Sequence, residues 1–201
     1  MFLLVIAYVI GAIPGGYLIS RHILPYQTRL LDALPLSPAS RALVERMAPP
    51  ALSIIADMAK GAAVVAVLPL IAPALTGAGW RWLTFPLVSP GLQAAGVLVA
   101  AVLGHILSVY ICGWGGKGGA TILGGFLVIS PPCAAFAVGV FCLAAAVTRA
   151  VWVGTLCAIC ILPACILLCC PHDFVNAITA FVLVGVSFIS HYHNLARSGT
   201  A

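Results

Sequence analysis

Residues 104–121 have the sequence GHILSVYICGWGGKGGAT and lie between two apolar stretches of the chain. Within this segment, residues 113–119 contain five glycines and one lysine. Glycine lets backbone N–H groups turn toward a ligand without side-chain obstruction, and such backbone nests bind phosphate. The helix expected after them adds partial positive charge at its N-terminus. The segment therefore predicts a phosphate-binding loop between two membrane helices. A flexible loop with one cytoplasmic lysine is the alternative.

The composition of the chain excludes a soluble fold. Its 201 residues are 63% hydrophobic and 6% charged, and the mean hydropathy is +1.20. Soluble domains carry about 25% charged residues, so a soluble fold of this length could not cover its surface. We expect an all-α integral membrane protein that forms a single multi-pass domain over residues 1–201. The eight cysteines all fall in apolar stretches, so neither a metal site nor a redox motif is expected.

The apolar runs predict seven transmembrane helices, since about 20 apolar residues cross the hydrocarbon layer. The predicted spans are 2–20, 52–72, 91–111, 118–130, 133–148, 151–170 and 174–191. The first has no basic start, which favours a spanning helix over a cleaved signal peptide. Only Pro131-Pro132 separates the fourth from the fifth, so one broken helix is an alternative.

The basic residues predict the orientation of the chain, because lysine and arginine accumulate on the cytoplasmic side of a membrane. Seven spans place eight of the nine lysines and arginines on one side, with only Arg81 on the other. We therefore expect a protein of the inner or plasma membrane, with its N-terminus outside and its C-terminus cytoplasmic. Every polar cluster then meets at the cytoplasmic face.

Three further polar groups are predicted at that face. Asp57 and Lys60 are three residues apart in DMAKG, so they are either an ion pair that fixes helix depth or part of a polar cavity. His105 either orients the glycine segment or is a satisfied structural residue. His191 and Asn194 share one helix face in HYHN. Either could hydrogen-bond an incoming hydroxyl or phosphate oxygen, or the two could simply be solvated at the membrane edge.

Taken in order, these motifs resemble those of the acyl-phosphate:glycerol-3-phosphate acyltransferase family, PlsY. Family members carry motifs similar to AIPGGY at 12–17, DMAKG at 57–61, the glycine segment at 104–121, Thr148-Arg149 and HYHNLAR at 191–197. One motif departs from the family pattern. The first cytoplasmic loop of the family carries G-S-G-N-x-G-A-T-N-V-x-R, whereas residues 34–46 are LPLSPASRALVER.

The resemblance implies an enzyme of phospholipid biosynthesis that transfers a fatty acyl group from acyl phosphate to glycerol-3-phosphate, giving lysophosphatidate. The implied partners are these two substrates and membrane lipids, with no nucleic acid, metal or organic cofactor. It implies catalytic roles for His191 and Asn194 and supporting roles for Asp57, Lys60 and His105. The residues that it implies for phosphate binding are Gly115, Gly116, Lys117, Gly118, Gly119, Thr121, Ser40 and Arg41.

Two functions of other classes compete with this one. The altered first motif leaves open a catalytically lapsed family member that serves as a membrane binding or assembly partner. An organic-anion transporter is disfavoured, because every predicted polar cluster lies on one face and no charged residue marks the membrane midplane.

Overall fold

The structure is a computed structural model that describes residues 2–19, 21, 38–76, 89–111 and 113–198. For 38–50, 71–76, 90, 114 and 193–198 it describes the backbone alone. The described part holds α1 Phe2–Gly11, α2 Gly15–Leu18, α3 Pro38–Thr76, α4 Pro90–Ile106, α5 Gly119–Ile129, α6 Pro131–Thr148, α7 Val151–Cys169 and α8 Phe174–Ser198. Two short strands, β1 Leu107–Ser108 and β2 Gly113–Trp114, pair antiparallel between α4 and α5.

Several of these helices have the length and apolar composition of membrane-spanning helices. Four helical segments of the described part are long and apolar enough to cross one, namely Ala51–Leu70, Pro131–Thr148, Val151–Cys169 and Phe174–Tyr192. Three shorter apolar segments accompany them, namely Phe2–Leu18, Gly91–Ile106 and Gly119–Ile129. Large apolar side chains face outward, including Leu168 at 83% and Leu70 at 79% exposure, and soluble monomers rarely expose such continuous apolar surface. The prediction of a helical, multi-pass membrane protein is confirmed.

Two predicted spans are broken or end early in the structure, whereas those predicted at 52–72 and 174–191 lie within the longer helices α3 and α8. The span predicted at 2–20 is interrupted, because α1 ends at Gly11 and α2 begins after Pro14. The span predicted at 91–111 is helical only to Ile106, after which the chain enters β1 and a 3₁₀ turn. Pro131 is the first residue of α6, a position where its missing N–H costs no hydrogen bond. The fourth and fifth predicted spans are therefore two separate helices.

Helix α5 lies at the centre of the core. Residues 121–126 of α5 are all buried, and side chains of α4, α7 and α8 pack around them. Members of this core include Leu98, Val102, Ile122, Phe126, Ile159 and Leu183. A second apolar cluster joins α1, α3 and α4 through Leu3, Ala7, Val64, Leu68, Val97 and Ala101. The enclosed position of α5 holds the loop at its N-terminus in place.

Glycines set the distances between these helices. A Cβ at Gly61 of α3 would overlap the Thr121 carbonyl of α5, and one at Gly124 would overlap the Met58 carbonyl. Small residues let membrane helices approach this closely. Gly61, the final glycine of DMAKG, therefore lets α3 pack closely against α5. This packing places Asp57 and Lys60 of α3 near the glycine segment.

Candidate active site

A polar junction joins α3, α4 and the end of α1. The Nζ atom of Lys60 lies 3.1 Å from Asp57 Oδ1, 3.0 Å from the Ile13 carbonyl oxygen and 2.9 Å from His105 Nδ1. An ammonium group has three donors and no acceptor, so Lys60 donates to the Ile13 carbonyl and to His105 Nδ1, and its charge pairs with Asp57. The proton of the neutral His105 ring is then on Nε2. Lys60 thus links segments of the chain that are far apart in sequence.

A cleft of about 180 Å³ opens beside this junction. This volume is large enough for several water molecules, which suits a small polar molecule. At one side of the cleft, Arg21 Nη1 donates a 2.8 Å hydrogen bond to the Tyr17 hydroxyl. The lining residues are Ala12, Pro14, Gly15, Gly16, Tyr17, Ser53, Asp57, His105, Ser108, Ile111, Gly115 and Gly116.

The glycine segment folds back onto the end of α4. The Gly115 N–H donates to the Ile106 carbonyl at 2.7 Å, and the Gly116 N–H donates to the His105 carbonyl at 3.0 Å. These bonds satisfy carbonyls that a helix C-terminus leaves without partners. Two of the amides predicted to bind phosphate are therefore engaged with α4. Gly118 has φ +80° and caps the N-terminus of α5, a left-handed conformation that favours glycine.

Two serines of α8 hold the other side of the glycine segment. Ser187 Oγ donates to the Lys117 carbonyl at 2.8 Å, and Ser190 Oγ donates to the Gly116 carbonyl at 3.3 Å. Sequence reasoning missed both residues. Their spacing offered a signal, because Ser187, Ser190 and His191 are at i, i+3 and i+4 and so share one helix face. The face that carries His191 is thereby fixed against the loop.

His191 is buried, with only 4% of its surface exposed. Its Nδ1 atom lies 2.9 Å from the Ser187 carbonyl oxygen. A carbonyl can only accept, so the hydrogen-bond geometry assigns the ring proton to Nδ1 and leaves a lone pair on Nε2. Nε2 is buried and has no hydrogen-bond partner among the described residues. The ring is thus oriented to accept a proton at Nε2.

The structure brings some predicted site residues together and separates others. Asp57, His105, Gly115 and Gly116 line the cleft. Five other predicted residues are not part of the described lining. Lys117, Gly118, Gly119 and Thr121 follow the cleft-lining glycines in the chain, and His191 lies on α8. Thr121 is fully buried in the first turn of α5, and its hydroxyl has no partner among the described residues.

Three predicted residues have side chains outside the described part of the chain. Asn194 belongs to the described backbone of α8, and Ser40 and Arg41 belong to that of α3. Arg41 precedes Asp57 by 16 residues in this helix, which is about 24 Å along a straight axis. Pro49 and Pro50 lie between them, and prolines inside a helix kink it.

The sequence motifs and this geometry agree with known proteins. The family model of glycerol-3-phosphate acyltransferase matches residues 1–200. The glycerol-3-phosphate acyltransferase of Syntrophotalea carbinolica is 32% identical over 195 residues, which cover 97% of this chain and 91% of that protein. The chain belongs to the glycerol-3-phosphate acyltransferase family. The family predicted from the motifs is confirmed.

Two crystal structures of PlsY, an integral membrane glycerol 3-phosphate acyltransferase, share the fold. The lysophosphatidic acid form has a TM-score of 0.67 and 24% identity, and the match covers 99% of this chain and 91% of that one. The glycerol 3-phosphate form has a TM-score of 0.66 and 23% identity over the same shares. The helical architecture is therefore that of this acyltransferase family.

Proposed function

We propose that this protein transfers a fatty acyl group from acyl phosphate to a hydroxyl of glycerol-3-phosphate, giving lysophosphatidate and inorganic phosphate. Family membership supports the acceptor and the reaction class. The observation that carries the proposal is the buried Nε2 of His191, which has no partner in the described part of the chain and lies on the helix that is hydrogen-bonded to the glycine segment. The comparisons lend no support to a catalytically lapsed member that serves only as a binding partner.

The phosphate and glycerol backbone of the acceptor occupy the cleft beside the polar junction, and its reacting hydroxyl extends past Gly116, which Ser190 of α8 binds, toward His191. Hydroxyls of Tyr17, Ser53 and Ser108 belong to its lining, and such groups hydrogen-bond a glycerol backbone. The Asp57 carboxylate is offset by Lys60 at 3.1 Å, so the pair adds no net charge that would repel a phosphate. Positive charge comes from Arg21, which is bonded to Tyr17.

The donor phosphate lies on the other side of the glycine segment. Lys117 directly follows the cleft-lining Gly116, and its ammonium neutralises the phosphate of the acyl donor. The amides of Gly118 and Gly119 and the hydroxyl of Thr121 stand at the N-terminus of α5, where the helix dipole favours an anion. Ser40 and Arg41 stay predictions, because their side chains lie outside the described part of the chain.

The chemistry needs positioning more than a strong nucleophile, because acyl phosphate is a mixed anhydride with a good leaving group. The acceptor hydroxyl oxygen attacks the acyl carbonyl carbon, and an ester C–O bond forms as the anhydride C–O bond breaks. His191 Nε2 takes the hydroxyl proton, while the Ser187 carbonyl keeps the ring oriented. The proton then passes to the departing phosphate. Asn194, almost one turn after His191, orients the acceptor.

The proposed arrangement in the membrane is the one predicted from the basic residues. The protein is a single domain of seven spans in the cell membrane, with its N-terminus outside and its active face and C-terminus cytoplasmic. The bond between Ser190 and Gly116 supports a shared face for the glycine segment and the end of α8. Single cysteines placed near Arg81 and near Arg197, in a cysteine-free background, should label from opposite sides. Labelling from one side would refute this topology.

The function is tested with purified protein in detergent micelles, supplied with labelled glycerol-3-phosphate and either palmitoyl phosphate or palmitoyl-CoA. We expect lysophosphatidate from palmitoyl phosphate. His191→Gln should lower kcat by at least about 100-fold, the usual contribution of a general base. His172→Gln, which changes an exposed histidine in the turn before α8, is the matched control and should keep full activity.

Three outcomes would overturn parts of this proposal. Folded wild-type protein that makes no lysophosphatidate from either donor would refute the acyltransferase activity. Faster turnover with palmitoyl-CoA would refute acyl phosphate as the donor. Full activity of His191→Gln would remove the proton-transfer role of His191 and leave the reaction intact.

A further inference from the structure

Three cysteine side chains converge at the end of the helix bundle away from the glycine segment. The Sγ atoms of Cys133, Cys165 and Cys169 all lie within 4.8 Å of one another. Cys165 and Cys169 are four residues apart on α7, so they share one helix face. Cys133 stands in the first turn of α6. None of the three takes part in the proposed acyl transfer.

This thiol cluster is well separated from the cleft. Helix α5 runs from the glycine segment to Ser130, next to Cys133, and its 11 residues extend about 16 Å. The cluster lies where α6 begins and α7 ends, whereas the cleft lies where α4 ends and α5 begins. A ligand held by the thiols would therefore not touch the residues that line the cleft.

We propose that Cys133, Cys165 and Cys169 form a binding site for one soft, thiophilic metal ion of the Cu(I) class. Thiolate ligands select soft ions such as Cu(I). A metal about 2.3 Å from three sulfurs in one plane sets those sulfurs about 4.0 Å apart. The sulfurs of this cluster, at most 4.8 Å apart, need to close by about 0.8 Å or less, which side-chain rotation supplies.

The number of ligands distinguishes Cu(I) from Zn(II). Structural Zn(II) sites are almost always four-coordinate. Among the described residues, no fourth His, Cys, Asp or Glu side chain joins this group. Three sulfurs alone complete the coordination of Cu(I). The three-sulfur cluster therefore matches Cu(I) rather than four-coordinate Zn(II).

Access from the surface and the helix dipole also suit such a site. Cys133 is almost fully buried in the core, while Cys169 is exposed beside the turn that follows α7, so an arriving ion meets one ligand at the surface and the others deeper. Each thiol that binds as a thiolate releases one proton to solvent. The N-terminus of α6, where Cys133 stands, favours the remaining negative charge through the helix dipole.

The test is an anaerobic titration of the purified full chain with Cu(I), in competition with bathocuproine disulfonate. Wild type should bind one equivalent, and X-ray absorption should show three sulfur neighbours at about 2.3 Å. Changing all three ligands to serine should abolish this binding. Cys169→Ser, which alters an exposed ligand and leaves the core intact, should weaken it at least tenfold. Changing Cys142, Cys157 and Cys160 to serine is the matched control and should retain one equivalent.

The outcomes separate this site from the acyltransferase. Equal Cu(I) binding by wild type, Cys169→Ser and the ligand triple variant would overturn the proposal, as would tighter binding of Zn(II) than of Cu(I). Cu(I) should also raise the unfolding temperature of wild type and of the control, because an ion that binds only the folded state stabilises it. Lysophosphatidate synthesis by Cys169→Ser should stay within twofold of wild type, whichever way the metal titration comes out.

Discussion

Replacement of Lys60 by methionine tests whether the polar junction holds the cleft together. Methionine keeps most of the side-chain length but removes three N–H donors. The change leaves the Asp57 carboxylate, 12% exposed, without its ion-pair partner, and it leaves His105 Nδ1 and the Ile13 carbonyl without a donor. We expect a loss of folding stability together with a loss of acyl transfer, because the cleft is built on these contacts.

The size of the stability loss follows from burial. Removing one partner of a buried ion pair costs about 3–5 kcal/mol when the other charge stays buried without compensation, which applies here while His105, whose Nδ1 lies 3.6 Å from Asp57 Oδ1, stays neutral. Adding Asp57→Asn to Lys60→Met removes that charge, and it should recover about 1–3 kcal/mol through the coupling of the pair. Arg21→Met, which removes an exposed cation, is the control and should cost about 1 kcal/mol or less.

The free energy of unfolding is measured in mixed micelles by raising the mole fraction of a denaturing detergent, with helix content as the signal. Acyl transfer is measured on the same preparations. A Lys60→Met variant within about 1 kcal/mol of wild type would refute the reasoning. So would a double variant that is less stable than the single one, because it would mean that the Asp57 charge is not what destabilises the single variant.

Four further changes probe the glycine segment and the phosphate cations. Gly116→Val should abolish most activity while the protein still inserts, because its Cβ would overlap the His105 ring; normal turnover would show that the ring moves freely. Lys117→Ala should lower kcat/KM by about 10- to 100-fold, since hydrogen bonds to charged groups contribute about 1.5–3 kcal/mol. Arg41→Lys keeps the charge but loses the planar fork, and if Arg41 holds phosphate, the KM for glycerol-3-phosphate should rise about tenfold; if Arg21→Lys raises KM and Arg41→Lys does not, the phosphate cation is Arg21.

The membrane helices were predictable because long apolar runs carry their own signal. The break at Pro131 also followed from the sequence, since proline fits the first turn of a helix and not its middle. The end of α4 did not follow. Leu107, Val109 and Ile111 are as apolar as the helix before them, and only the hydrogen bonds from Gly115 and Gly116 to the last carbonyls of α4 show where that helix stops.

The sequence predicted several residues of the site but not which groups they contact. Lys60 meets a carbonyl 47 residues away, and Ser190 meets one 74 residues away. Helical spacing indicates which side chains share one face of a helix, but it does not indicate which helix faces pack against each other. Glycine is equally suited to a phosphate nest and to capping a helix end, so the sequence alone could not tell that Gly115 and Gly116 cap α4.

The short length of α5 sets the depth of the chemistry. Its 11 residues span about 16 Å, roughly half of a hydrocarbon layer that is about 30 Å thick. In the topology proposed above, with the Ser130 end of α5 at the outer surface, its glycine end stops about 14 Å short of the inner one. Its burial among longer neighbours spares the bilayer from thinning to match it. The reacting carbonyl of a fatty acyl donor, anchored by its tail, can then meet the acceptor below the plane of the lipid headgroups without being lifted into water.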